Sequence, residues 1–261
     1  MNKKRFPNNT QLIVIRLPII LLMKIIFIKK GEKMEPTGTS KAGASVDMSF
    51  DVSFEEYSII ACGTLSGEIK KLQESGFLNA GKVLFTKPGR HEVPRELEEQ
   101  LVQKITIARS HSEKIIVVYG GKFCYLNASD PGRTIDMILA EQGENISRIS
   151  ATHCVDMLAS AEERTTFSAG KKVLWLTPGW IRFRNYVYED WDKGKANENF
   201  PQHTGGAVLL DGIGFWDEYS MTHPEEILDF SDWMGIPIAV HPVSLDRLKT
   251  LLAGCVSDQS G

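Results

Sequence analysis

The strongest constraint on this chain is an alternation of short apolar runs with helical segments, which starts near Ser53 and runs to Leu252. Tyr57–Cys62 (YSIIAC), Lys82–Thr86 (KVLFT) and Lys114–Tyr119 (KIIVVY) read as strands, each ending close to a glycine or proline. Between them, Ser66–Ser75 and Pro94–Arg109 carry helical spacing, and the second opens on a proline with carboxylates in its first turn. The pattern continues with a helix at Thr134–Glu141, a strand at Ile146–Ala151, a helix at Val155–Phe167 and a strand at Lys172–Leu176. After an aromatic segment come a strand at Ala207–Leu210, a helix at Pro224–Met234, a strand at Ile236–Val240 and a last helix at Leu245–Leu252. This order predicts βαβ crossovers and an α/β fold: a mainly parallel, Rossmann-like layered sheet with helices on both faces. Several strands are apolar throughout, as a sheet covered on both sides requires.

A chain of 261 residues can bury a full core without disulfides. The expected division is a basic, apolar leader and linker over residues 1–48 and a single α/β domain over 49–261. Residues 1–33 carry eight Lys or Arg against one Glu, so the remainder holds 22 against 32 and is acidic. An acidic folded part argues against nucleic-acid binding through a basic face. The run Leu12–Ile28 is very apolar but is interrupted by Arg16, Pro18 and Lys24, so it is a poor membrane span. Three readings of this leader stay open: a start placed too early or a disordered leader, a membrane-surface anchor, and a helix packed on the domain. Membrane contact is not the expected outcome. Four cysteines set among apolar strand residues read as reduced thiols of a cytoplasmic protein.

The unusual residues fall at the carboxyl ends of the strands. Cys62 ends the first strand, Cys124 follows the third in YGGKFC, and His153-Cys154 follow ISRISA. Pro178-Gly179-Trp180 and Asp211-Gly212 close two later strands. In an open parallel sheet these ends share one edge, which is where such folds bind ligands. Three thiols brought together there can hold zinc, or an iron–sulfur cluster with one iron left open. A helix start beside Cys62 and Cys154 is expected to lower their pKa. His153 is the candidate proton carrier or fourth ligand, with His203 as an alternative. Gly63, Gly120, Gly121 and Trp180 are expected to border a bound cofactor, and Trp180 with Trp216 to form an aromatic wall. Cys255, near the chain end, is expected to stand apart. Buried cysteines also serve simply as small hydrophobes, so a non-catalytic binding module is a competing reading. No phosphate-binding GxGxxG, P-loop or Ser-His-Asp order is present.

The elements ACG (Ala61–Gly63), YGGKFC (Tyr119–Cys124), ATHCVDMLAS (Ala151–Ser160) and WLTPGW (Trp175–Trp180) together resemble the family DUF1638, over roughly residues 55–255. In that pattern a first-strand cysteine is followed by Tyr-Gly-x-Cys, His-Asp-Cys and Pro-Gly-Trp elements. Here three residues separate Gly120 from Cys124, and His153 directly adjoins Cys154. The cysteine triad is kept, while the histidine is displaced. The resemblance implies a place beside corrinoid methyltransferase systems of methanogens and anaerobes. It implies as partners a corrinoid protein or a methyltransferase; a small-molecule thiol is a possible ligand at an open position on a three-thiolate zinc. Two activities follow from it: a metal-dependent methyltransferase or accessory protein, and an iron–sulfur protein for electron transfer or corrinoid reactivation.

Overall fold

The computed structural model describes residues 52–121 and 123–257. The leader expected over residues 1–48 lies outside them. The seven strands among the described residues lie in two wholly parallel sheets. The first contains β1 (Tyr57–Cys62), β2 (Lys82–Thr86), β3 (Lys114–Val118) and β4 (Ile146–Arg148) in the order β2-β1-β3-β4. The second contains β5 (Leu174–Leu176), β6 (Ala207–Asp211) and β7 (Ile238–Pro242) in sequence order. The fold is therefore the expected layered α/β type, with its strands divided between two sheets rather than along a single edge.

Alternation within the strands explains the layers. On β1, Ile59 and Ala61 face one apolar cluster while Ile60 and Cys62 face another. On β3, Ile116 and Val118 join the first cluster, and Ile115 and Val117 join the second. Successive side chains of a strand point to opposite faces, so a strand apolar on both needs a cover on both. Helix α1 (Ser66–Glu74) covers the first face with Ile69 and Leu72. Helices α2 (Pro94–Arg109) and α3 (Ile135–Glu141) cover the other with Leu97, Leu101, Ile105, Ile135 and Ile138. The first cluster also takes in Val208 and Leu210 of β6, so it forms a core shared by both sheets.

The sheet order has one consequence for the site. From β1 the chain crosses to β2 on one side and then returns to β3 on the other. The crossovers carry their helices onto opposite faces, which leaves a crevice beyond the carboxyl ends of β1 and β3. Such a switch point is where open α/β sheets bind ligands.

Residues 154–168 form two helices, not the single helix expected at Val155–Phe167. Helix α4 (Cys154–Leu158) stops at Ala159, whose backbone is extended, and α5 (Ala161–Ser168) starts afresh. The break has a local cause. Ser160 caps the Glu163 amide, and the Glu163 carboxylate accepts from the Ser160 amide, a reciprocal box that nucleates a new helix start. Ser160→Ala is expected to lower stability by about 1 kcal/mol, read as a shift in the urea midpoint. An unchanged midpoint would show that packing alone sets the break.

The aromatic segment 178–199 folds into three short helices: α6 (Pro178–Arg182), α7 (Arg184–Val187) and α8 (Lys193–Asn199). Helices α9 (Phe215–Thr222), α10 (Pro224–Met234) and α11 (Asp246–Ser257) follow. Phe200, Phe215, Phe230 and Met234 bury the outer face of the second sheet. Among the described residues no helix is long and apolar enough to cross a membrane.

Candidate functional site

At the switch point lies a cavity of about 240 Å³ whose wall includes Cys62, Cys124 and Cys154. His153, Arg90, His91, Tyr119, Trp175 and Trp180 complete much of the lining. The three cysteines come from the ends of β1, of β3 and of the segment after β4, so residues far apart in the chain meet there. All four cysteines are free thiols. Cys255 is buried on α11, its Sγ 3.5 Å from the Leu251 carbonyl, and is not among the cavity-lining residues.

Backbone pairing holds the second and third cysteines together. The Gly121 amide donates to the Ala151 carbonyl at 2.9 Å, and the Phe123 amide to that of Thr152 at 3.1 Å. Arg148 ties the same loops. Its Nη1 donates to the carbonyls of Tyr119, Ile149 and Ala151 at 3.2, 2.8 and 3.2 Å, while Asp136 holds the guanidinium from the other side. Asp156 fixes the start of α4. It accepts from the Thr152 amide at 2.9 Å and pairs with Arg247 at 3.1 Å.

Gly63 and Gly120 make close backbone contacts, and neither they nor Gly121 are among the cavity-lining residues. A Cβ on Gly120 would lie 2.4 Å from His153 Cα, and one on Gly63 would lie 2.6 Å from the Thr86 carbonyl oxygen. A Cβ on Gly121 would meet only the end of the Arg148 side chain, at 2.9 Å. Trp180 does line the cavity, beside Trp175, whereas Trp216 packs into the cluster on the far face of the second sheet. The aromatic wall is therefore Trp175 with Trp180. His203 sits in the turn after α8, its Nδ1 3.0 Å from the Phe200 carbonyl oxygen, away from the cavity-lining set.

His153 is the N-cap of α4: its Nδ1 accepts from the Asp156 amide at 3.0 Å. That bond fixes the neutral tautomer, with the proton on Nε2. Burial, aided by the nearby Arg164, lowers the pKa of the ring, so it stays neutral at physiological pH.

The thiols behave differently from the sequence expectation. Burial pushes the Cys154 thiol up to about 12, with further upward pressure from Cys62; Trp180 and the Val155 amide only partly oppose this. Cys124 is raised still further by burial and by repulsion from Cys154 and Cys62. A short helix start cannot compensate for loss of water around a thiolate. Cys62 and Cys154 are thus close enough to Cys124, and Cys62 to Cys154, to oppose ionisation there. Cys62 Sγ lies 3.1 Å from Thr64 Oγ1 and also faces the Tyr119 hydroxyl, which is in turn hydrogen-bonded to Thr86.

The donor set is three soft sulfurs on one wall, which suits a thiophilic metal. As the side chains stand, no group of three or more His, Cys, Asp or Glu among the described residues is arranged to hold a metal ion. Binding one would require the sulfurs to turn to a common point.

Taken together, fold and cavity define an α/β protein with a thiol-walled ligand site at the switch point of a parallel sheet. The chain belongs to the family "Protein of unknown function (DUF1638)", whose model matches residues 85–252. That span includes Cys124, His153, Cys154 and Trp180 and starts after Cys62, so it is shorter than the 55–255 expected from the motifs. No curated protein and no solved structure matches the chain.

Two features of the site were missed by sequence reasoning. Arg90 and His91 follow the turn after β2 and look like surface residues in the sequence, yet both line the cavity. Glu68 lies just outside it, fully buried, with both carboxylate oxygens lacking a hydrogen-bond partner. Its spacing of four from Leu72 puts it on the buried face of α1, and that spacing was the available signal.

Proposed function

We propose that Cys62, Cys124 and Cys154 form a thiolate centre for zinc or an iron–sulfur cluster, and that the protein serves corrinoid-linked methyl transfer in the cytoplasm. The supporting observation is the meeting of three thiols from three chain segments in one cavity. As free thiols, Cys124 and Cys154 are protonated at neutral pH and are poor nucleophiles. A bound cation reverses that balance, because it ionises its thiol ligands outright. Bound zinc would supply Lewis acidity toward a substrate thiol, and a cluster would supply electrons.

The chain's own residues define the surroundings of such a centre. Trp175, Trp180 and Val155 give the cavity an apolar lining, which would strengthen electrostatics around a bound group that displaces water. His153 presents Nε2–H and, being neutral, can donate a hydrogen bond or hand on a proton without adding charge. The methyl-transfer half of the reading, and a corrinoid protein or methyltransferase as partner, rest on the family pattern.

Anaerobic purification followed by metal and acid-labile sulfide analysis tests the centre. Colourless protein with zinc, or brown protein with iron and sulfide, is the expected result. Cys124→Ser should lose most of the metal, since a hydroxyl is not deprotonated at neutral pH, while His153→Ala should keep it. Wild-type protein free of metal and sulfide, with all its thiols reactive after denaturation, would leave the cysteines as buried hydrophobes.

A further inference from the structure

Two donors in the cavity wall have no acceptor. Arg90 Nε and Trp180 Nε1 are both buried, both belong to lining residues, and neither has a hydrogen-bond acceptor. Glu96 Oε2 lies 3.4 Å from Arg90 Nε, an ion-pair distance without hydrogen-bond geometry, and Glu189 holds the Arg90 Nη2 at 3.0 Å. The Trp180 indole lies near the Cys154 sulfur, yet its Nε1 has no hydrogen-bond partner. Both residues line the same cavity, and the ring of His91, next to Arg90 in the chain, lies 5.4 Å from that of Trp180. His153 Nε2–H adds a third donor to the lining. Among the described residues, no Asp or Glu lines this cavity.

Buried donors without acceptors are rare in folded proteins, because each forfeits its bonds to water. Two of them on one cavity wall call for a ligand with acceptor oxygens, and a carboxylate brings two that make charge-assisted bonds. The three sulfurs line the same cavity.

We infer that the cavity takes a small carboxylate, its oxygens on Arg90 and Trp180 and its other end toward Cys62, Cys124 and Cys154. The carboxylate end stands on the unpartnered donors alone; the sulfur-facing end rests on the proposed three-thiol centre.

A charge series of short thiols separates the two. Isothermal titration of anaerobically purified protein with 3-mercaptopropionate, 2-mercaptoethanol and cysteamine compares anionic, neutral and cationic ligands of similar length. The anion is expected to bind at least about 10-fold more tightly than either of the others. Propionate, which has the carboxylate and no thiol, should compete with it. Trp180→Phe keeps the ring against His91 but removes the donor, and Arg90→Gln removes the charge. Each should cut the anion's advantage by about 10-fold and leave 2-mercaptoethanol unaffected. Thermal melts of both variants report folding, and the wild-type series decides the matter without them.

Equal affinity across the three thiols would overturn the inference whatever the metal content. An anion preference in protein found to lack metal and sulfide would uphold the carboxylate end and overturn the three-thiol centre.

Discussion

Gly120→Ala is expected to destabilise the protein by about 3 kcal/mol or more, the upper range for overpacking a rigid site. The Cβ would lie 2.4 Å from both His153 Cα and the Thr152 carbonyl oxygen, and 2.5 Å from His153 N. All three are backbone atoms, so no rotamer change relieves the contact. Those atoms cannot retreat easily either. The Gly121 and Phe123 amides pair with the Ala151 and Thr152 carbonyls, and Asp156 pins Thr152. The segments being forced apart are those that carry Cys124 and His153-Cys154, so the substitution should also lower metal retention. Urea unfolding gives the measurement.

Two other glycines serve as controls. A Cβ on Gly121 meets only the flexible end of Arg148, and the loss there should be smaller. Gly254 lies within α11 with nothing inside 4 Å of a Cβ, so Gly254→Ala should stabilise by up to about 1 kcal/mol through helix propensity. A Gly120→Ala midpoint equal to the wild type would mean that the close approach of these loops is not real.

Much of the fold was legible because local signals agreed. Tyr57–Cys62, Lys82–Thr86, Pro94–Arg109 and Pro224–Met234 have the bounds expected of them. Two of these start on proline at the first helical turn, and three end where a glycine or proline follows closely. The break at Ala159-Ser160 was written in the Ser160…Glu163 spacing but was masked by an apolar pattern that runs through it. The division into two sheets was not legible. Strand order depends on which edges pair, and β4 and β5 are only three residues each, too short for composition to name a neighbour.

The site was legible in its placement and not in its chemistry. Strand-end positions brought Cys62, Cys124, His153 and Cys154 to one cavity because parallel strands share a carboxyl edge. The state of the thiols depends on burial, which the sequence does not print. The choice of Trp175 over Trp216 turned on which face of the second sheet meets the first.

Glu68→Gln is expected to flatten the dependence of stability on pH. Burial raises the Glu68 carboxyl from an ordinary value near 4.5 to about 7. Asp211 adds to the rise, while the residue's own backbone amide and Arg182 oppose it. Cys154 of α4 lies within electrostatic reach as well. The contrast with Asp211 is instructive. That carboxylate accepts from the amides of Ile213, Phe215 and Trp216 at 3.1, 3.0 and 2.8 Å, whereas neither oxygen of Glu68 has a hydrogen-bond partner. A buried carboxyl with no side-chain donor keeps its proton to a higher pH.

The sign follows from linkage. Below about 4.5 Glu68 is protonated whether the chain is folded or not, and the native state is at full strength. Between 4.5 and 7 the unfolded chain releases this proton while the native state retains it, so stability falls as pH rises. Above 7 the native state carries a buried, unpaired charge. Its penalty is about 3 kcal/mol, from a shift of roughly two and a half pH units. Glutamine has the same shape and cannot ionise. The variant should therefore gain about 3 kcal/mol on the wild type between roughly pH 4.5 and about pH 8, by urea unfolding of both proteins at each pH. Parallel stability profiles for the two proteins would show that Glu68 is either solvated or paired in the native state.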